Sequence, residues 1–502
     1  MKNKYSLEII VFISGAVVMI TEIVGSRILA PYIGTTIFVW TSLIGIILGC
    51  LSLGYWYGGR VADKKPNYKT FSAILFGAAF FIGLIVLIKD PVLVFVQEAF
   101  KDIRASAVIA TLLLFAVPSF FLGMVSPYAV KLKMKKLDTS GKTVGNLYAI
   151  STIGSIVGTF VAGFFLIAYF GSTKILLILS LSMVVISIVA YRKGMKLHNV
   201  SAIFIVLFAA SGLGLAHDPV QKDGSVELDS QYNHIKIMDK QVRIQVDGVY
   251  QDPKKARVMK VNSSYSSVMS LEDDELVEMY TRYYRLAEHF NPTLKSSLML
   301  GGAGCSYPKD FLINFPESEM DVVEIDPKLT EMAKEYFDLR ENPRLKFFHE
   351  DARTYLNRNK KQYDVIFVDV FNTGSNFSIP FQLTTREAVK RMHNSLSDDG
   401  FVLMNVISAI KGEKGKFLRA EYATFKSVFP QVYLFTVDSL DGSDVQNIMF
   451  AALKTKKRPL FKSRIYEFNR YLKRLWVKDI ELDVPVLIDD YAPVEQLMKE
   501  LI

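Results

Sequence analysis

The chain has 502 residues, and 59 Lys plus Arg against 50 Asp plus Glu leave a net charge of +9. That surplus is uneven: residues 1–218 carry 19 Lys/Arg against 8 Asp/Glu, and the remainder carries 40 against 42. Half of all residues are hydrophobic and the mean hydropathy is positive, which excludes a single soluble domain and a disordered chain, while two cysteines, Cys50 and Cys305, exclude a disulfide framework and indicate no metal site.

Seven apolar stretches are candidate membrane spans, at roughly 6–30, 37–59, 70–88, 106–130, 144–169, 172–191 and 200–216. Most hold the ~20 apolar residues that cross ~30 Å of hydrocarbon; the last is at the lower limit. The first is too long for a cleaved signal peptide and no small-residue cleavage pattern ends it, so it is expected to stay. Segment 89–105, with Lys89, Asp90, Glu98, Lys101, Asp102 and Arg104, is too charged to span and is expected along the interface.

Positive residues fall in alternate loops: Arg60, Lys64, Lys65 and Lys69; then Lys131, Lys133, Lys135, Lys136 and Lys142; then Arg192, Lys193 and Lys196. Those loops and the N-terminus are therefore expected to be cytoplasmic. The excess charge reads as membrane topology, not as a nucleic-acid surface. Seven full crossings would place everything after residue 217 outside the cell. Either 200–216 does not cross, or the count is off elsewhere, or the second half is extracytoplasmic; the cytosolic chemistry argued below favours a miscount. Glu22 and Arg27 in the first span would face a cavity or a partner, and a structural pair is the simpler reading. Gly145, Ser151, Gly154, Gly158 and Gly163 in the fifth span are spaced for close helix packing.

After His217 the composition turns alternating and mixed-charge. Short strands are expected at Ile235–Met238 and Val242–Val246, with turns at Asp239-Lys240 and Asp247-Gly248. From about residue 297, strand candidates at Leu298–Leu300, Asp321–Ile325, Leu345–Phe348, Val365–Val368 and Phe401–Val406 alternate with helical stretches such as Lys328–Phe337, and 431–437 with 447–453 would close one edge as a hairpin. The expected architecture is thus a multi-pass helical membrane domain (1–218), a small β-rich subdomain (219–295) and an α/β Rossmann-like domain of methyltransferase type (296–502).

In such a sheet, ligands sit at the carboxyl ends of the strands. Gly301, Gly302 and Gly304 follow the first strand and let a ligand approach the backbone. Glu324 ends the second, where an acid can accept from both ribose hydroxyls. Asp351 follows the third, placed to meet an adenine amino group, and Asp369 ends the fourth, where a reacting group would stand. The turn Gly-Gly-Ala-Gly-Cys-Ser lacks the G-x-G-x-x-G spacing of dinucleotide sites, which favours an adenosyl sulfonium donor. Cys305 reads as a small turn residue, and Tyr280, Tyr283 and Tyr284 read on residue type as core packing.

The soluble half resembles the spermidine synthases (polyamine aminopropyltransferases), and the whole chain resembles the membrane-fused branch of that family. The resemblance rests on Ser230-Gln231-Tyr232-Asn233-His234-Ile235, Asp247-Gly248-Val249-Tyr250-Gln251, Leu300–Gly304, Val323-Glu324-Ile325-Asp326-Pro327, Glu350-Asp351-Ala352 and Tyr363–Asp369. It implies transfer of an aminopropyl group from decarboxylated S-adenosylmethionine to an amine, with release of methylthioadenosine. No tightly bound cofactor is implied, and a homodimer is compatible with it. Carried over by position, Glu324 would hold the ribose, Asp351 with Ala352 the adenine, and Gln251 the donor region. Asp369 would be the acid beside the acceptor, and Tyr232, Asn233, Tyr280 and Asn372 would line the acceptor side.

This chain also departs from the family's pattern. Gly304 stands where the family turn has Asp, Asn372 where it has a second Asp, and Tyr280-Thr281-Arg282-Tyr283 where it has Tyr-His/Gln-Glu. The acceptor site would thus lose two carboxylates and gain an arginine, and the space freed at Gly304 would admit the carboxylate of intact S-adenosylmethionine. Two further functions are therefore kept: methyl or 3-amino-3-carboxypropyl transfer to a lipid or other membrane-borne acceptor, and a transporter with an adenosyl-sensing domain. Asp369 favours the enzymes, since a sensor needs no acid at the reacting position.

Overall fold

Six long apolar helices occupy the N-terminal part of the computed structural model, which describes residues 6–33, 36–100, 102–134, 140–191, 224–243, 245–246, 249–262, 264–371 and 379–501. They are Ser6–Ile33 (α1), Ile37–Lys64 (α2), Tyr68–Ala99 (α3), Ile103–Lys133 (α4), Ser140–Val161 (α5) and Ser172–Ala190 (α6), each long and apolar enough to cross a membrane. The segment 200–216, the cluster Arg192, Lys193 and Lys196, and Lys135 and Lys136 lie outside the described residues.

The charged segment after residue 88 is not a separate interfacial stretch. Helix α3 continues through Lys89, Asp90 and Pro91 to Ala99. At 32 residues and ~1.5 Å per residue it is longer than the ~30 Å hydrocarbon layer, so its last turns can carry charge beyond the lipid. Those charges are also paired: Lys89 meets Asp90 at 2.8 Å, and Asp90 accepts from the Tyr32 hydroxyl at 3.1 Å. Asp102 caps α4 by accepting from the Arg104 amide at 2.8 Å.

Small residues set the helix contacts selectively. A Cβ on Gly158 would lie 2.7 Å from the Cα of Ala16, and one on Gly154 would lie 2.8 Å from the Phe12 carbonyl carbon, so α1 and α5 touch backbone to backbone there. Gly145 and Gly163 face open space and do not serve that contact. Helices α3 and α6 are joined by a reciprocal pair: Ser72 Oγ donates to the Ser187 carbonyl at 2.9 Å, and Ser187 Oγ donates to that of Ser72 at 2.8 Å.

The chain divides into two units, residues 1–221 with 228–234, and residues 222–227 with 235–502. Strands Val226–Asp229 (β1), His234–Val242 (β2), Gln245–Val246 (β3), Val249–Tyr250 (β4), Lys254–Val261 (β5) and Ser264–Ser270 (β6) come first. Their four-stranded sheet has the order β1-β2-β5-β6, and β3 pairs with β4. The turn expected at Asp239-Lys240 is absent; β2 runs straight through it. Asp239 is paired with Arg257 across to β5, and their side chains meet at 2.7 Å. The polar dipeptide is thus a solvent face with a cross-strand ion pair. Asp247-Gly248 lies outside the described residues.

The remaining strands are Ser296–Leu300 (β7), Glu319–Val323 (β8), Leu345–Phe348 (β9), Tyr363–Val368 (β10), Leu396–Ser408 (β11), Gln431–Thr436 (β12) and Gln446–Leu453 (β13). Their order is β12-β13-β11-β10-β7-β8-β9, parallel from β11 to β9, with β13 and β12 antiparallel at the edge. Alternate residues feed two cores. Leu298, Leu300, Ile366 and Val368 bury on one face; Met299, Val365 and Phe367 bury on the other. That is the pattern of a sheet covered on both sides. The chain leaves β7 toward β8 and β9, and later returns to lay β10 on its other side. The switch point between β7 and β10 opens the crevice where a ligand would sit.

Candidate functional site

Register places the first two site residues against each other. Val368 of β10 is paired with Leu300 of β7, so the next residues, Asp369 and Gly301, are neighbours. The Asp369 amide donates to the Leu300 carbonyl at 2.9 Å. Gly301 has φ +88°, and a Cβ there would run into the Asp369 carbonyl; only glycine fits on both counts.

The turn that follows is closed by Glu324. Its Oε2 accepts from the amides of Gly302 (2.9 Å) and Ala303 (3.1 Å), and its Oε1 accepts from the Asp326 amide at 3.0 Å. Burial pushes the Glu324 carboxyl above its ordinary value, and the three amides pull it back down. Asp326 in turn caps the helix Pro327–Tyr336. Ala303 and Cys305 adopt left-handed φ of +41° and +55°. Cys305 is fully buried, and burial raises its thiol well above the usual range, which suits a turn residue and not a nucleophile.

Gly304 does not leave free space. Its amide donates to Ser267 Oγ at 2.9 Å, and a Cβ would lie 2.7 Å from the Ser267 Cβ and 3.1 Å from Phe337. The expectation of a vacated volume is corrected: β6 fills it with a serine hydroxymethyl group.

Asp351 stands at the start of the helix Ala352–Arg358. Its Oδ1 accepts from the Thr354 amide at 2.9 Å, and its Oδ2 accepts from Gln382 Nε2 at 3.1 Å. Ala352 is buried in the core. Gln251 is exposed just past β4, with no hydrogen bond among the described residues. Tyr232 and Asn233 lie in the β1–β2 turn, whose amides bond to Ser230 Oγ at 3.0 and 2.8 Å; they belong with the first unit. Asn372 lies outside the described residues.

The tyrosines do more than pack. Tyr280, in the short helix Met279–Tyr283, donates its hydroxyl to Asp369 Oδ2 at 3.2 Å. Tyr284 donates to the Val368 carbonyl at 3.2 Å and meets the Tyr280 ring edge-on. Tyr283 stacks on Tyr471 and donates to the Thr436 carbonyl at 3.1 Å. Asp369 itself is pushed up to about 7, by burial first and by the negative charge of Glu278, while bonds from Tyr280 and Tyr284 oppose the rise. A carboxyl that titrates near neutrality can accept a proton from a bound group and later release it.

The arginine expected in this region is elsewhere committed. Arg282 donates to the Leu276 carbonyl at 2.7 Å and meets Glu275 at 3.3 Å. Carboxylates are present that sequence reading missed: Glu278, two residues before Tyr280, and Asp438, two residues past β12. Burial raises both above the usual carboxylate range, and Asp438 raises Glu278 further. The only signal for Glu278 was its spacing from Tyr280; Asp438, Ser267 and Gln382 carried none, because long-range packing brings them in.

Residues 286–455 match the family model described as the spermine/spermidine synthase domain. The chain is similar to a polyamine aminopropyltransferase of Vibrio vulnificus, 31% identical over 37% of this chain and 60% of that protein, and so spans less than two thirds of that relative's length. It is similar over 98% of its length, and 99% of the other's, to polyamine aminopropyltransferase 2 of Aquifex aeolicus, at 23% identity. Among solved structures, a probable spermidine synthase from Corynebacterium glutamicum aligns with a TM-score of 0.41 at 22% identity, over 51% of this chain and 88% of that one.

Proposed function

We propose that this chain is a transferase that moves an aminopropyl-type group from an adenosyl sulfonium donor to an amine, because residues 286–455 match the spermine/spermidine synthase domain. One observation carries the reading: Asp369, tuned to about 7 and bonded to Tyr280, stands at the strand end beside the Gly301 turn.

In the proposed site Glu324 holds the donor's ribose. Its Oε2 is taken up by the amides of Gly302 and Ala303, and its Oε1 keeps one lone pair after the Asp326 amide. Asp351 faces the adenine amino group, with Gln382 sharing the carboxylate. Asp369 takes a proton from the acceptor ammonium, whose nitrogen then has a lone pair. That nitrogen attacks the carbon next to S⁺; the N–C bond forms, the C–S bond breaks, and its electron pair neutralises the sulfur, leaving methylthioadenosine. Tyr280 keeps the carboxylate oriented and the crevice lowers the dielectric around the charges.

The donor is S-adenosylmethionine or its decarboxylated form. Ser267, not an acid, meets Gly304, so no carboxylate there repels the methionine carboxylate. We place the domain at a membrane with its site on the cytoplasmic side. Six crossings would return the chain to the N-terminal side, where the loops with Arg60, Lys64, Lys65 and Lys69 and with Lys131, Lys133 and Lys142 also lie.

The test is to incubate the purified full chain, in detergent or lipid discs, with each donor and with amines or lipid extract, and to identify the nucleoside. Amine-dependent methylthioadenosine supports the reading. S-adenosylhomocysteine would instead mean methyl transfer and would overturn it.

A further inference from the structure

Many cations of the α/β domain and its small sheet are tied to acids. Arg257 pairs with Asp239, Arg285 with Asp310, Arg353 with Asp489 and Arg419 with Asp483. One stretch departs from that rule. Residues 454–466, just past β13, hold six Lys/Arg and no acid, while the rest of the chain after residue 218 has 34 Lys/Arg against 42 Asp/Glu. Lys454 is committed, donating to the Leu396 carbonyl at 2.7 Å. Lys456, Lys457, Arg458, Lys462 and Arg464 are all exposed, and none forms an ion pair or a side-chain hydrogen bond among the described residues.

Apolar side chains are interleaved with these charges. Leu460 is 78% exposed, Tyr466 79% and Ile465 43%. A single exposed leucine needs no explanation. Here Leu460 stands between Arg458 and Lys462, and Ile465 and Tyr466 follow Arg464 directly.

The stretch is fastened to the fold and is not a loose tail. Gln431 Nε2 donates to the carbonyls of Thr455 and Lys457 at 2.6 and 3.0 Å, and His289 Nε2 donates to that of Leu460 at 2.6 Å. The Phe461 ring meets Tyr433 of β12 edge-on, with centroids 4.8 Å apart, and the Ser463 amide donates to Asn469 Oδ1 at 2.8 Å. Phe461 is thus turned onto the sheet while Leu460 beside it is turned out. A display held in shape by its own backbone loses little entropy when it docks.

The chemistry of the display names its partner. Unpaired cations with aliphatic tips between them match the headgroup region of an anionic bilayer, where phosphates take the cations and the acyl boundary takes the tips. A nucleic acid would satisfy the cations and stack on Tyr466, but it offers nothing to Leu460 or Ile465. The same chain carries six helices long and apolar enough to cross a membrane, and such a tether raises the effective concentration of lipid at the surface.

We propose that residues 456–466 are a membrane-docking surface that takes anionic phospholipid headgroups. The inference rests on the membrane placement given above. The five cations bind lipid phosphates, and Leu460, Ile465 and Tyr466 enter the boundary between headgroups and acyl chains. The domain thereby gains a contact with the bilayer besides the spans themselves.

The experiment uses the full chain in lipid discs of phosphatidylcholine, alone or mixed with phosphatidylglycerol. An environment-sensitive fluorophore is attached to the thiol introduced by Tyr466→Cys in a Cys50→Ser chain, where the buried Cys305 does not react. Emission should shift to the blue, and quenching by nitroxide-labelled lipid should rise at least threefold, in the anionic discs alone. Salt should reverse both, since the screening length falls from ~10 Å at 0.1 M to ~3 Å at 1 M. Changing the five unpaired cations together to glutamine should abolish the response without lowering the denaturation midpoint, because no partner in the fold is lost. Leu460→Gln, with every charge kept, should weaken the quenching at least twofold. Equal signals in both lipids, or an undiminished response in either variant, overturn the inference and leave the spans untouched. A larger response to single-stranded RNA than to anionic lipid assigns the surface to nucleic acid and overturns it too. A chain that does not enter discs at all overturns the membrane placement. Its co-sedimentation with phosphatidylglycerol vesicles, lost in the five-residue variant, would then still uphold the docking surface, and failure to co-sediment would overturn both.

Discussion

The two sides of the crevice are built on opposite principles. On the proposed donor side the polar groups are already satisfied: Glu324 accepts three backbone amides, and Asp351 accepts one amide and Gln382. Burial raises Glu324 as it does the carboxyls of Asp369, Glu278 and Asp438 on the proposed acceptor side, but three backbone amides oppose it at Glu324, whereas beside Asp369 Asn405 Oδ1 has no partner among the described residues. A satisfied network is rigid and holds one shape. An under-compensated one stores unfavourable electrostatics that a cation relieves on binding. On the proposed reading, the donor side is therefore preorganised by the chain itself, and the acceptor side is under-compensated while empty.

The largest test of this contrast is Asp369→Asn. Asn keeps the shape but cannot take a proton, and a positioned base is worth ~10²–10⁴-fold, so turnover should fall by that factor while calorimetric affinity for methylthioadenosine is retained. The same variant should be more stable, and more so at pH 8 than at pH 5. A carboxyl whose folded value, about 7, lies above its unfolded one destabilises the fold progressively as pH rises through that range and costs nothing well below it. A melting temperature that drops in Asp369→Asn at pH 8 would contradict the buried-charge account. So would activity within a few-fold of wild type, for the base.

Glu324→Gln probes the other side. The amide turns an NH₂ toward backbone donors, and charge-assisted bonds worth ~1.5–3 kcal/mol are weakened. Methylthioadenosine affinity should fall about ten- to a hundredfold, with the acceptor KM moving far less. Unchanged nucleoside affinity would remove Glu324 from the site.

The same contrast explains what could be read from the sequence. The sheet was legible because its strands are short apolar runs with polar residues at their ends, and the placement of the strand-end residues was legible because they sit at fixed offsets from those runs: Gly301 one past Leu300, Glu324 one past Val323, Asp369 one past Val368. Local register suffices for them. Glu278 and Asp438 are 160 positions apart, and they are brought near one another by Tyr283 reaching Thr436 and by β12 folding back on β13, neither of which a motif encodes. The tyrosines looked like core because two of them are core as well, with Tyr283 and Tyr284 almost fully buried. In the helical unit, the charges at Lys89 and Asp90 suggested an interruption; they are instead a salt-bridged pair within a helix that runs on to Ala99.

A smaller effect should come from Gly304→Ala. The added Cβ meets Ser267 and Phe337, so overpacking of ~1–3 kcal/mol is expected, read as a lowered denaturation midpoint, and Ser267→Gly in the same chain should recover part of it. For the same reason Gly304→Asp should disrupt the turn and not restore a donor preference. The comparison of donors belongs to the wild-type chain, where intact S-adenosylmethionine should bind at least as well as the decarboxylated form. A preference of more than about tenfold for the decarboxylated donor would mean that another group has taken over the role of the missing acid.

The finest test lies where the two sides meet, at Tyr280. Its hydroxyl donates to Asp369 and so favours the ionised carboxylate; burial pushes the other way and wins. In Tyr280→Phe the shape is kept and that donor is gone, so the Asp369 carboxyl should move further above about 7. At saturating donor and acceptor, kcat in wild type should rise with pH through the range in which Asp369 loses its proton and then level off. In Tyr280→Phe the same rise should be displaced to higher pH, with the plateau little changed. At pH 7 the variant should thus be a few-fold slower than wild type, and at pH 9 nearly equal to it. A loss of the same size at every pH would mean that Tyr280 orients the acceptor and does not tune the base. An unshifted profile with full activity would mean that the bond to Asp369 has no part in the reaction.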